Sequence, residues 1–189
     1  MISTQIRQLN TDEYYGMMES GIIREGERVE LISGQIFTIA AKSTLHTLCT
    51  RKLFKHLLSL LGDRADVQSQ DPITLPNNSE PEPDIVIARL RSDDYINSHP
   101  APADIILVIE VADSTIKFDR ETKAPLYAAA GISEYWIVNL IDDRLEIYRQ
   151  PEGNIYTSVQ IVTPPRSINL SQFPEIVLNI DDFFPVKKD

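Results

Sequence analysis

The sequence is poor in cysteine, in long apolar runs and in positive charge, and each shortage excludes something. Cys49 is the one cysteine among 189 residues. A lone thiol closes no intrachain disulfide and offers no zinc cluster, so a reducing, cytoplasmic setting is expected. No apolar run is long enough to span a bilayer, which argues against a membrane-spanning helix. The opening Met1-Ile2-Ser3-Thr4-Gln5 has no basic flank followed by an apolar stretch, so no secretory signal is expected. Lys and Arg number 18 against 28 Asp and Glu, a net charge of −10. General nucleic-acid binders need clustered cations, so that class is disfavoured. A nuclease is not excluded, because its metal-binding acids are themselves negative and a site's local field differs from the net charge.

What is present is ordinary for a globular protein, with 42% hydrophobic and 24% charged residues. The length suits one domain with a substantial core, and residues 1–189 are read as one, without internal repeats. Thr11 begins a helix that should end near Ser20-Gly21. The segments 28–32 and 35–39 flank Ser33-Gly34 as a hairpin. Ser43 opens a long helix to Leu61-Gly62, with Leu45, Leu48, Leu53, Leu57, Leu60 and Leu61 as its apolar face. Asp66 to Leu75 alternates and reads as a strand. The segment 76–83, with three prolines, reads as a surface loop leading into a strand at Asp84, and 91–103 as a second polar loop. The run 105–111 reads as a buried strand. A helix is expected over 121–130, with Pro125 in its first turn and Gly131 as its stop. Strands follow at 135–139 and 144–148 across an Asp142-Asp143 turn, and at 155–162. Short apolar pieces close the chain over 173–184. The sum is an α/β fold, a mixed central sheet flanked by helices.

The candidate chemistry lies in acids placed where charge is costly. Asp84 enters the apolar stretch Ile85-Val86-Ile87, and Glu110 interrupts the run Ile105 to Val111. A charge in such a run must be paired or hold a metal. Two carboxylates with open water positions suit magnesium or manganese. A hard ion of this kind supplies the nucleophilic water and the charge neutralisation that phosphodiester hydrolysis needs. The backbone carbonyl of Val111 is a natural third ligand. Lys123, thirteen positions after Glu110, is placed to orient the water or contact the phosphate, and Glu30, in Val29-Glu30-Leu31-Ile32, to assist.

Taken singly, each residue has a plainer reading. Asp84 is then a loop acid, Glu110 the partner of a core arginine, and Lys123 a solvated helix residue. His46 reads equally as a surface residue at a helix start or as a contact to phosphate or a catalytic carboxylate. Tyr127, four after Lys123, either packs or bonds a site carboxylate. Gln70 and Asp71 are further candidates to approach the metal. Tyr135 and Trp136 belong to the sheet core or a subunit contact.

A resemblance joins these pieces. Pro83-Asp84, Val108-Ile109-Glu110-Val111-Ala112-Asp113-Ser114-Thr115, Asp119-Arg120-Glu121-Thr122-Lys123-Ala124-Pro125-Leu126-Tyr127 and Gly131-Ile132-Ser133-Glu134-Tyr135-Trp136-Ile137-Val138 together resemble the Uma family of restriction-endonuclease-like proteins, within the PD-(D/E)xK nuclease superfamily. Glu30-Leu31-Ile32-Ser33-Gly34-Gln35-Ile36 is similar to the family's N-terminal hairpin. The resemblance implies a restriction-endonuclease-like core, a divalent metal and DNA as substrate. It also implies that the lysine has migrated: Ala112 stands two after Glu110 where the superfamily has lysine, and Lys123 takes its place from the next helix. A catalytically inactive module of the same fold is the competing reading, favoured by the acidic charge and Ala112. A homodimer is expected under either, with the hairpin from Tyr135 to Tyr148 as a candidate contact.

Overall fold

The structure, a computed structural model, describes residues 6–184. A helix α1 (Thr11–Glu19) precedes a hairpin of β1 (Val29–Ile32) and β2 (Gln35–Thr38), and the long helix α2 (Thr44–Leu61) follows. The central sheet comprises β3 (Asp66–Gln68), β4 (Ile85–Ala88), β5 (Ile105–Ala112), β6 (Glu134–Asn139), β7 (Arg144–Glu152) and β8 (Ile155–Val162), paired in that order. Between β5 and β6 lie α3 (Ile116–Phe118), a π turn (Asp119–Lys123) and α4 (Ala124–Ala129), and a hairpin of β9 (Ser167–Leu170) and β10 (Phe173–Asn179) closes the described chain. Only the β5–β6 pair is parallel, which makes the sheet mixed and requires the helical crossover between those strands. Among the described residues no helix is long and apolar enough to cross a membrane.

Local chemistry sets the ends of these elements. Asn10 caps α1 in a reciprocal box with Glu13. Ser33 and Gly34 turn the first hairpin with φ of 50° and 72°. A side chain at Gly34 would also meet Gln8 Cβ at 2.5 Å. Ser43 caps α2 by accepting from the His46 amide at 3.1 Å, and Gly62 stops it with φ 51°.

The sheet is covered on both faces, which explains why β5 and β6 are buried throughout. Leu107, Ile109 and Val111 share a cluster with Leu53, Leu57 and Leu61 of α2 and with Ile176 and Leu178 of β10. Val108 and Ala112 share another with Ala124, Tyr127 and Ala128. Glu110 lies between Val108 and Ala112 on the second face, because side chains alternate along a strand. Tyr135 and Trp136 are fully buried in the core rather than at a subunit contact.

Several expectations need correction. The strand expected over 66–75 ends at Gln68, because Gln70 takes a left-handed φ of 62° and Pro72 follows. The loop 76–83 is only half a surface loop. Ser79 and Glu80 are buried, because the Glu80 amide bonds Leu31 O at 2.7 Å and Ser79 Oγ accepts from the Ser33 amide at 2.8 Å, docking the segment on β1. The buried face of α2 runs through His46, Cys49, Thr50, Leu53, Leu57 and Leu61, and leaves Leu45 exposed. The helix expected from 121 is entered earlier, from Ile116 through α3 and the π turn, and Pro125 lies in the first turn of α4, as expected, but within a continuous helical run. A proline inside a helix lacks an amide and crowds the carbonyl four residues back. The π turn just before it widens the helix, and the Ala124 amide bonds Asp119 O, five residues back. Residues 173–179 form a full strand, and its partner β9 was not expected.

Candidate active site

Asp84 and Glu110 are brought together by strand register. Ile85 of β4 pairs with Ile109 of β5 in an antiparallel ladder, so one further step places Asp84 opposite Glu110. The Val111 amide donates to Asp84 Oδ2 at 2.9 Å and fixes this end of the ladder. Both acids are buried, each about 4% exposed, yet both line a pocket of about 430 Å³.

The helical crossover supplies the cation. Lys123 ends the π turn, is 5% exposed, and donates to Glu110 Oε1 at 2.8 Å and to Glu30 Oε1 at 3.1 Å. Glu110 therefore pairs with a lysine, and Lys123 is not a solvated helix residue. Tyr127 does both things expected of it: its ring packs at 4.9 Å from that of Tyr135, and its hydroxyl donates to Glu110 Oε1 at 2.8 Å. Glu30 reaches the site from β1, and its Oε1 also accepts from the Glu82 amide at 3.2 Å. Glu30 Oε2 is buried without a hydrogen-bond partner.

A second set of donors converges on Asp84. His46 sits three residues past the Ser43 cap, is buried rather than at the surface, and its Nε2 lies 2.9 Å from Asp84 Oδ2. Lys42, in the segment entering α2, donates to Asp84 Oδ1 at 3.0 Å. Gln70 and Asp71 are exposed and do not line the pocket.

The electrostatics divide the acids. Burial alone would raise the Asp84 carboxyl. The hydrogen bond and electrostatic pull of His46, the charge of Lys42 and the Val111 amide outweigh it and hold Asp84 below its ordinary value. Glu110 is pushed up to about 8 by burial, against the pull of Lys123, with Asp119, Asp84 and Glu30 adding to the rise. Burial would lower Lys123, but Glu110, Glu30 and Asp119 carry it above the ordinary lysine range, so it remains a cation. Asp119 rises to about 6, chiefly through burial. Negative charge thus exceeds what the local cations neutralise.

The residues fit a hard divalent cation by two observations. The oxygen donors are carboxylates beside a pocket, and one of the carboxylate oxygens, Glu30 Oε2, is buried without a hydrogen-bond partner among the described residues. Asp84, Glu110 and the Val111 carbonyl would be the protein ligands, with water completing the shell. Among the described residues no three His, Cys, Asp or Glu side chains are already arranged to hold an ion.

A family model, Uma2, described as "Putative restriction endonuclease", matches residues 11–181. The chain belongs to the Uma2 family. Its fold is similar to the crystal structure of a protein from Anabaena variabilis ATCC 29413, described as a putative nuclease belonging to DUF820. The TM-score is 0.74 at 16% identity, covering 93% of this chain and 97% of that one. No curated protein matches the chain. The two chains therefore share a fold, and this chain has the mixed sheet and flanking helices expected from sequence.

Several pocket residues escaped the sequence reading as site members, among them Asp119, Lys42 and Glu82. Asp119 is 3% exposed and accepts from Thr115 Oγ1 at 2.7 Å. Its place four before Lys123 was the available signal, but only the π turn buries both. Lys42 carries no motif, and its role depends on the cap at Ser43. Glu82 lines the pocket because its neighbours 79–81 dock on β1, a pairing without local periodicity.

Proposed function

We propose that this Uma2 protein is a divalent-metal-dependent DNA endonuclease that hydrolyses phosphodiester bonds. The observation that carries the reading is the placement of Asp84 and Glu110 opposite each other at one sheet end, with the Lys123 ammonium between Glu110 and Glu30 in the same pocket. The family description supports a nucleic-acid substrate. Asp84, Glu110 and the Val111 carbonyl hold magnesium or manganese. When bound, such an ion activates water and offsets charge on the phosphoryl group.

The chain's own residues do the rest. His46 and the Val111 amide fix the Asp84 carboxylate by donating to Oδ2. Tyr127 and Lys123 fix Glu110 through Oε1. Lys123 is the migrated lysine of the superfamily pattern. It is already protonated, so it orients the attacking water or contacts the phosphate as a donor and takes no proton. Glu30 accepts from Lys123 and aims its ammonium at the pocket. A cytoplasmic homodimer completes the reading, because cutting both strands of a duplex at one place needs two such centres.

The test is nicking of supercoiled plasmid. Cleavage is expected in magnesium or manganese, to stop in EDTA, and to be lost in Asp84→Asn and Glu110→Gln. Equal cleavage by either folded variant, or cleavage in EDTA, would overturn the proposal. A second reading, a nuclease-fold binding module without turnover, has one observation in its favour. The Asp84 carboxylate already accepts from Lys42, His46 and Val111. Manganese titration that shows no binding would support it.

A further inference from the structure

Asp84 has two unequal oxygens. Oδ2 accepts from two partners, the Val111 amide at 2.9 Å and His46 Nε2 at 2.9 Å. Among the described residues, Oδ1 accepts from Lys42 Nζ alone, at 3.0 Å. A carboxylate oxygen offers about two lone pairs, so Oδ1 is the oxygen with capacity left for an ion. Lys42 is the one donor that stands there. It is also the least constrained of the three: the amide belongs to a central strand and His46 to α2, whereas Lys42 lies in the irregular segment before Ser43 with 18% of its side chain exposed.

Two cations beside one carboxylate oxygen repel each other strongly at the low dielectric of a buried site. Lys42 therefore yields when a divalent ion takes Oδ1. Its ammonium remains on the pocket wall, and a phosphate oxygen delivered by the substrate is a suitable new acceptor.

We propose that Lys42 is a second catalytic lysine: it holds the ion's place on Asp84 Oδ1 in the free protein and moves to a non-bridging oxygen of the substrate phosphate once an ion is bound. This rests on the metal-dependent reading of the site. It divides the labour between two lysines. Lys123 is locked between two buried carboxylates, whereas Lys42 has a single ion-pair partner and is free to exchange it.

The opposed signs of its two effects make the inference testable. Lys42→Gln removes a competitor of the ion and a partner of the phosphate at once. Manganese affinity, measured by calorimetry without DNA, is expected to tighten about threefold or more. The single-turnover nicking rate is expected to fall roughly 30-fold or more. Lys42→Arg keeps the charge and is expected to nick clearly faster than Lys42→Gln, with manganese affinity near that of the parent. Circular dichroism confirms that both variants fold.

Weaker manganese binding by Lys42→Gln would mean that Lys42 builds the ion site, and overturns the inference. An unchanged nicking rate overturns it as well, as does a Lys42→Arg variant no faster than Lys42→Gln. The parent protein separates the two levels of failure. If it binds manganese and nicks DNA while Lys42→Gln matches it in both, the Lys42 role alone is wrong. If the parent binds no manganese, the metal reading falls and takes the Lys42 role with it.

Discussion

Two groups of buried acids gather against the central sheet, and they are built in opposite ways. Glu146, on β7, accepts from Arg120, Arg144, Asn139 and Tyr148. Glu134, on β6, accepts from Trp136 Nε1 at 2.9 Å, from Arg149, and from the Ser171 amide at 3.3 Å. Each has at least as many donors as it needs, and neither lines the pocket. At the ends of β4 and β5 the balance reverses. Glu30, Glu110 and Asp119 share few cations and, among the described residues, Glu30 Oε2 is orphaned; Asp84 differs in having three donors, and all four face the pocket. Their proton affinities follow. Burial would raise Glu146, but its donors pull it down to about 2, whereas Glu110 is pushed up to about 8. Buried carboxylates alone do not mark a site. Acids left short of donors beside a cavity do.

The largest expected effect is on the pocket side. Asp84→Asn and Glu110→Gln are each expected to cut plasmid nicking by at least about 100-fold, equivalent to roughly 3 kcal/mol of transition-state stabilisation. Asp84→Asn should lose stability as well, because His46, Lys42 and the Val111 amide hold that carboxylate below its ordinary value, whereas the unfolding free energy of Glu110→Gln should move much less, because burial already disfavours its charge. A loss of stability in Glu110→Gln as large as its loss of activity would erase the contrast with the Glu146 group. Lys123→Met is the complement. It leaves Glu110 and Glu30 buried and unpaired, which costs roughly 3 kcal/mol of stability in urea unfolding, and it should also abolish nicking. A Lys123→Met protein of full stability would show that the carboxylates do not depend on that cation.

The donor-rich side gives a prediction in pH. Glu146 has its folded value depressed from the ordinary 4.5 to about 2. A depressed carboxyl contributes stability that is fully present above the unfolded value and is lost as pH falls through the folded one. Glu146→Gln is therefore expected to cost about 2 kcal/mol at pH 7. The gap between parent and variant should close progressively between about pH 4.5 and 2, read from urea midpoints. Nicking at neutral pH should stay within about threefold of the parent, since Glu146 lies outside the pocket. A gap independent of pH would mean that the cost of Glu146→Gln comes from packing or hydrogen-bond geometry and not from the charge.

The sequence carried the part of this contrast that depends on strands. Asp84 and Glu110 stood out because an acid in an apolar run is costly, and the register brought them together. Glu30 was visible for the same reason, and Lys123 by its place after Glu110 and by the family resemblance. Hairpin and helix starts were legible wherever a cap or a turn residue announced them, as at Ser43 and Ser33-Gly34. What stayed hidden depends on non-local contacts. The docking of 79–82 on β1 has no periodicity of its own, and it is what places Glu82. The π turn has no sequence signal beyond Pro125, and it buries Asp119 with Lys123. Lys42 reaches Asp84 across 42 residues, from a segment with no regular structure.

The smallest effect sharpens the contrast most, because it removes a single hydrogen bond. Tyr127 is fully buried, and its hydroxyl donates to Glu110 Oε1 at 2.8 Å, the same oxygen that accepts from Lys123. Tyr127→Phe keeps the ring against Tyr135 and removes only that donor. If Glu110 belonged to a donor-rich group like that of Glu146, the loss would be absorbed by the remaining partners and only stability would register it. Glu110 has few donors, so the loss should also reach function. The expected cost is about 1 kcal/mol in urea unfolding. Nicking should fall about three- to tenfold through a freer Glu110 carboxylate, and manganese affinity should weaken by a similar factor. A Tyr127→Phe protein that loses stability while binding manganese and nicking DNA as the parent does would place Tyr127 with the structural residues and leave Lys123 alone to orient Glu110.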